Sequence, residues 1–231
     1  MSQIKLLHSG GNGVILAAPT SNPSSDVTLK LPQADGTSGQ AIVTDASGNL
    51  SFATVADTND FVKLQSANAT SAVSDLSFTS LDVTTYKFFR LVFSGLSAVD
   101  NGFLRFRFMV GSTAQTSSSY YSAVNGVSGD NSNYSSMVSG DDYARLVGGA
   151  GNASNEGWRT IVEVVPQVSS DFNGANNLVT AAGNRIDSNG NYRIEVSSTF
   201  FKSTIDTDGF RLYASNGDIG SYNYTLYGVK R

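Results

Sequence analysis

The sequence contains no cysteine, one histidine and four prolines among its 231 residues. Without cysteine, the chain can form no disulfide, no thiolate nucleophile and no cysteine-ligated zinc site. The single histidine, His8, stands in a glycine-rich stretch near the N-terminus. That position suits neither a Ser-His-Asp arrangement nor a histidine metal site, since both need further catalytic or metal-binding side chains held in place around a pocket. We therefore expect no enzymatic activity, no metal and no cofactor.

Charge is also scarce. Charged residues make up 15% of the chain, and the net charge is −4, whereas an average soluble domain has about 25% charged residues. Lys and Arg are scattered, so we expect no nucleic-acid partner, which would require clustered positive charge. No apolar run approaches the ~18 residues of a membrane span, and residues 1–8 are too short for an export leader. We expect no membrane insertion.

Serine, threonine, asparagine and glycine provide the polarity instead, and apolar residues recur with period two. Residues 104–110 place Leu104, Phe106, Phe108 and Val110 on one face and two arginines on the other. This alternation is typical of half-buried β-strands. The same pattern predicts a strand over residues 27–31. Dipeptides that favour tight hairpin turns lie between the predicted strands: Asn101-Gly102, Asn125-Gly126, Asn189-Gly190, Asp208-Gly209 and Asn216-Gly217.

Composition divides the chain near residue 60. Residues 1–60 have few aromatic side chains and read as a small β-hairpin module, whereas aromatic density rises sharply after Thr85. We expect residues 61–231 to form an antiparallel β-sandwich of jelly-roll type with about eight strands, so the chain is all-β. About fifty residues with so few aromatics cannot bury enough apolar area alone. The N-terminal module should therefore either pack on the C-terminal domain or be stabilised by sister chains or a docking partner.

Two segments carry a resemblance to a known class of proteins. Residues 31–52 contain Leu31-Pro32, Asp35-Gly36, Gly39-Gln40, Thr44-Asp45 and Leu50-Ser51-Phe52. This pattern resembles a module of bacteriophage tail-fibre and other virion structural proteins. Near the C-terminus, residues 209–213 and 224–229, joined by a Gly-rich turn, resemble the closing strands of small phage virion proteins with a β-sandwich.

The resemblance implies a non-enzymatic virion structural protein of tail-fibre type, made in the host cytoplasm. It implies a homotrimer whose N-terminal module (residues 1–60) docks on other virion proteins and whose sandwich (residues 61–231) faces outward for host attachment. A capsid decoration or head-fibre protein is the alternative within the same class. The position on the particle stays open.

A glycan-binding, lectin-like module is the alternative from another class. Tyr120, Tyr121 and Tyr134 stand among Ser and Asn residues, a composition typical of recognition surfaces because tyrosine gives rigid contact area. We take these three residues as candidate contacts to a receptor, with a host surface glycan as the partner. The competing interpretation is that they pack beneath a loop.

Paired carboxylates could hydrolyse a glycan, and Glu163 and Glu195 lie within predicted strands. We expect them instead to pair with basic neighbours such as Arg159 or Arg193. We also expect Trp158, the only tryptophan, to lie in the core.

Overall fold

A computed structural model describes residues 3–17, 20–21, 23–45, 47–54, 60–130, 132–168 and 177–231. Every regular element in these ranges is a β-strand, and all paired strands are antiparallel. The all-β prediction is confirmed. The chain divides into two compact units, Met1–Thr58 and Asn59–Arg231.

The N-terminal unit contains two hairpins, β1 (Gln3–Leu7) with β2 (Gly13–Ala17) and β3 (Gln40–Thr44) with β4 (Leu50–Thr54). The second hairpin falls within the segment that resembles the fibre module. Its turn passes through Gly48, whose φ of 85° is favourable only without a Cβ atom. A Cβ there would also lie 2.0 Å from the carbonyl oxygen of Thr28.

The strand predicted over residues 27–31 does not form. Only Lys30 is paired, through a parallel bridge to Asn49, and the rest of the segment has no regular structure. Alternation alone cannot make a strand when no neighbouring strand accepts its hydrogen bonds. Val27, Leu29 and Leu31 are consequently exposed by 61 to 79%.

The C-terminal unit is a sandwich of two sheets. The larger has the order β11-β10-β15-β14-β13-β7-β17-β5, and the smaller has the order β12-β8-β16-β6 with β9 paired to β8. The unit contains thirteen described strands rather than about eight: β5 (Phe61–Ala69), β6 (Asp75–Phe78), β7 (Tyr86–Ser97), β8 (Gly102–Val110), β9 (Thr113–Ala114), β10 (Tyr120–Ser128), β11 (Asn133–Asp141), β12 (Ala144–Ala150), β13 (Gly157–Val165), β14 (Asn177–Ile186), β15 (Tyr192–Phe201), β16 (Gly209–Ala214) and β17 (Ile219–Lys230).

An aromatic core lies between the two sheets. Leu104, Phe106 and Phe108 of β8 are fully buried, as the alternation predicts, whereas Val110 at the end of the strand is 38% exposed. Phe106 stacks on Phe210 of β16 at 5.5 Å between ring centroids. Trp158 is also buried, and its indole N–H donates to the carbonyl of Gly148 at 3.0 Å. Each such ring contributes roughly 1.5–3 kcal/mol by leaving water.

One predicted turn is part of a strand. Asn125-Gly126 lies inside β10, where the strand passes beneath the ring of Tyr134. A Cβ atom at Gly126 would lie 2.5 Å from the Tyr134 hydroxyl, so this glycine serves close packing and not a turn. Asn189-Gly190 does form the predicted turn between β14 and β15, with Gly190 at φ 76°.

Because side chains alternate across a strand, the larger sheet has an inward face on the core and an outward face. The order of β10, β15, β14 and β13 brings four long strands side by side. Their outward side chains form a broad surface that the sandwich itself does not cover.

Candidate functional site

The three tyrosines proposed as receptor contacts do not converge. Tyr120 has no exposed surface, and its ring stacks on Phe201 at 4.4 Å. Its hydroxyl accepts a hydrogen bond from the Phe108 backbone N–H at 2.9 Å and donates to the Gln115 carbonyl at 3.1 Å. Burial raises its pKa well above the usual tyrosine range. Tyr120 is thus a core residue and offers no surface to a receptor.

Tyr121 and Tyr134 point in opposite directions. Tyr121 lies on the outward face and stacks on Phe200 at 4.9 Å with nearly parallel rings. Tyr134 points inward, and its hydroxyl donates a hydrogen bond to Glu195. Burial, aided by that carboxylate, raises the pKa of Tyr134 to about 12. Of the three proposed tyrosines, only Tyr121 presents its ring on the outward face.

Glu195 belongs to a buried network beneath the larger sheet. It is 2% exposed and accepts hydrogen bonds from Nε of Arg185 at 2.8 Å and from the Gly148 N–H at 2.6 Å. Arg185 is buried as well and donates to the carbonyl of Gly149. Every polar atom of this carboxylate therefore has a partner in the protein, which is the arrangement of a structural ion pair.

The other carboxylate considered for glycan hydrolysis, Glu163, pairs with Arg90 of the neighbouring strand. Both side chains are 37% exposed on the outward face. The two glutamates lie on opposite faces of the same sheet and are not opposed across one cleft. The expectation of basic partners is met, although the partners are Arg90 and Arg185 rather than Arg159 or Arg193.

The described residues contain no group of three or more His, Cys, Asp or Glu side chains that could hold a metal ion. Within the same residues, no helix is long and apolar enough to span a membrane. His8 is exposed and lies in the turn between β1 and β2.

An apolar, uncharged area occupies one half of the outward face. We call it the apolar face; it comprises Tyr121, Val127, Met137, Leu178, Ile194, Val196 and Phe200. The strand register places Phe200 between Tyr121 and Leu178, and Ile194 beside Val127. Met137, Ile194 and Val196 are 85, 68 and 54% exposed.

No Asp, Glu, Lys or Arg occupies an outward position of β10, β11, β14 or β15, all of which lie in the described ranges. Four strands about 4.8 Å apart and roughly nine residues long cover about 500 Å² of flat area, which the apolar side chains share with neutral polar ones such as Asn125, Ser135, Thr180 and Ser198. Monomers rarely expose a contiguous apolar patch above a few hundred Å². The apolar face therefore has the character of a surface that another molecule covers, because it is uncharged and exposes several large apolar side chains.

A polar row crosses the other half of the same face. Asn68 of β5 pairs in register with Asn223 of β17, which pairs with Ser94 of β7. Ser94 pairs with Arg159 of β13, and Arg159 pairs with Asn184 of β14. We call these five residues the polar ladder.

The polar ladder lines an open groove of about 590 Å³. Tyr192, which is 70% exposed, stands at the β15 end of this groove. None of the ladder side chains makes a hydrogen bond or ion pair within the described part of the chain. Their donors and acceptors therefore face solvent and are free for a ligand.

The ladder could not be found from the sequence. Its five residues are spread from position 68 to position 223 and carry no motif. They become neighbours only through the order and register of five strands, and register is decided by packing over the whole sheet.

No protein-family model, no curated protein and no solved structure matches this chain.

Proposed function

We propose that this chain is a non-enzymatic structural protein that works as a homo-oligomer, as a component of a phage appendage of tail-fibre type. The apolar face carries the proposal. The resemblance of residues 31–52 to fibre modules and the sparse charge of the whole chain support it. The stoichiometry that the resemblance implies is a trimer.

The occupant of the apolar face is a second copy of this chain. A face without charge offers nothing to a basic or acidic partner, and its best complement is another apolar and neutral surface. Each chain of this protein presents such a surface. A specific interface buries about 800 Å² per partner, and projecting side chains give the outward face of β10, β11, β14 and β15 an accessible area greater than its ~500 Å² of flat area.

The N-terminal unit supports the same proposal independently. Val27, Leu29 and Leu31 are exposed along a segment whose alternation suits a strand but which, among the described residues, pairs only at Lys30. Pairing with the same segment of a sister chain, or with another virion protein, would satisfy this backbone and cover these side chains. This is the docking and assembly role proposed for residues 1–60.

The mass of the full chain in solution tests the proposal. We expect an oligomer, at about 73 kDa for a trimer of the 24.3 kDa chain. Val196→Lys places a charge within the apolar face, between Ile194 and Phe200 along β15, and should shift the mass to that of a monomer. Ile205→Lys is the matched control, because Ile205 is also exposed (46%) but lies outside this face.

A wild-type chain that stays monomeric at high concentration would contradict the oligomer. Equal effects of the two lysine variants would contradict the assignment of the interface. Immunogold labelling of purified particles separates the roles: label on the tail supports the appendage, label on the capsid supports the decoration or head-fibre alternative, and no label overturns both.

A further inference from the structure

We propose that the groove over the polar ladder binds an oligosaccharide. The inference extends the proposed function, because it assigns a receptor-binding site to a sandwich that faces outward from an assembly. It locates the site at residues other than the tyrosines suggested by composition.

The chemistry of the groove matches sugar hydroxyls. Asn68, Asn184 and Asn223 each offer an amide that both donates and accepts, and Ser94 adds a hydroxyl. Arg159 contributes a planar set of donors and no acceptor. Neighbouring hydroxyls of a sugar ring both donate and accept, so mixed amide and guanidinium groups can pair with them. Glu156 also lines the groove, and its carboxylate accepts a hydrogen bond from the Ala153 N–H at 2.8 Å, so the groove is neither fully acidic nor fully basic, as a site for ions would be.

Tyr192, the aromatic side chain at the end of the groove, can contact the apolar face of a sugar ring, which the polar ladder cannot. The Tyr192 ring makes no ring contact with any described residue and is largely exposed. An aromatic ring provides a rigid apolar surface on which the C–H face of a sugar ring can pack. A large aromatic held in water without a packing partner is unfavourable, and a bound sugar would cover it.

The dimensions favour a chain of several sugars rather than one. The ladder crosses five strands spaced about 4.8 Å apart, so its ends are about 19 Å from each other. The groove volume of about 590 Å³ lies within the range of about 300–1,000 Å³ that is typical of ligand sites. The length of the ladder and the volume of the groove both suit a short extended oligosaccharide that lies across the strands.

A glycan array carrying neutral and uronate-containing bacterial oligosaccharides tests the proposal on the full chain. We expect the wild type to bind a subset of them. The free oligosaccharide with the strongest signal is then titrated against Arg159→Ala, Asn184→Ala and Tyr192→Ala. Each variant should weaken binding about tenfold, because each removes an interaction worth a factor of this order. All three side chains are exposed, so the variants should fold as the wild type does.

Asn216→Ala is the control, since Asn216 is exposed but does not line the groove, and it should bind as the wild type. Absence of binding to every oligosaccharide, or unchanged binding by all three variants, would overturn the proposal. The mass of the wild type is measured in parallel. A wild-type monomer that binds an oligosaccharide contradicts the proposed assembly and supports the groove, whereas a wild-type oligomer that binds no oligosaccharide supports the assembly and refutes the groove.

Discussion

Replacing Glu195 by glutamine tests the buried network beneath the larger sheet. The Glu195 carboxylate receives three donors: Nε of Arg185, the hydroxyl of Tyr134 and the N–H of Gly148. Glutamine has only one acceptor oxygen, and its NH₂ group would face at least one of these donors. The guanidinium of Arg185 would also lose its closest counter-charge at a site that is almost fully buried.

Removing one member of a buried ion pair costs about 3–5 kcal/mol, because the remaining charge stays away from water. With a urea m-value of about 2 kcal/mol/M, typical of small domains, the unfolding midpoint should fall by roughly 1.5–2.5 M. The assay is urea unfolding at pH 7 and fixed protein concentration, since an oligomer's stability depends on concentration.

Glu163→Gln is the matched control, because Glu163 lies on the same sheet but pairs with Arg90 at a half-exposed site. Exposed pairs contribute about 0–1 kcal/mol, so this variant should barely move the midpoint. The reasoning is refuted if the two glutamine variants shift the midpoint equally, or if Glu195→Gln shifts the free energy of unfolding by less than about 1 kcal/mol.

Two further predictions concern buried polar groups. Tyr120→Phe should destabilise the chain by about 1–3 kcal/mol, because the buried Phe108 N–H loses its hydrogen-bond partner; an unchanged urea midpoint would contradict this. Burial raises the pKa of Asp187, but hydrogen bonds from the Asn191 backbone and Arg193 outweigh it, so the net pKa is lowered. Because the folded-state pKa of Asp187 lies below the unfolded-state value of about 4, the ionised carboxylate stabilises the folded chain above about pH 4. This stabilisation is lost as pH falls from about 4 through the folded-state pKa. Asp187→Asn should therefore cost stability at pH 7, and its difference from the wild type should shrink below about pH 4. A difference that is constant with pH in urea unfolding would argue against that role.

The alternation of apolar and polar residues along the sequence was enough to predict the strands that pack on the core. In β8, the alternation of Phe106 and Phe108 with arginines predicted which side chains are buried, because one face of this strand meets the core and the other does not. The turn at Asn189-Gly190 was predictable for a similar reason, since Gly190 adopts a positive φ that glycine accepts without strain.

The predictions that failed depend on contacts between distant segments. Asn125-Gly126 has the composition of a turn, but Gly126 is needed where Tyr134 crosses β10. Residues 27–31 alternate like a strand, yet within the described ranges they have no partner strand beyond the bridge from Lys30 to Asn49. Tyr120 and Tyr121 are adjacent, so a strand necessarily sends one inward and one outward. Which of the two reaches solvent is decided by the register of β10 in the sheet.

The absence of native cysteine makes one measurement especially direct. Ser198→Cys places a single thiol on the outward side of β15, between Val196 and Phe200 of the apolar face. Asn216→Cys places one on an exposed turn away from that face. Both thiols are labelled with a maleimide under native conditions over a range of protein concentrations. Coverage of the apolar face by sister chains predicts that Cys at position 198 is protected at high concentration and reacts on dilution, while Cys at position 216 reacts throughout. Equal and concentration-independent labelling at both positions would contradict the assembly.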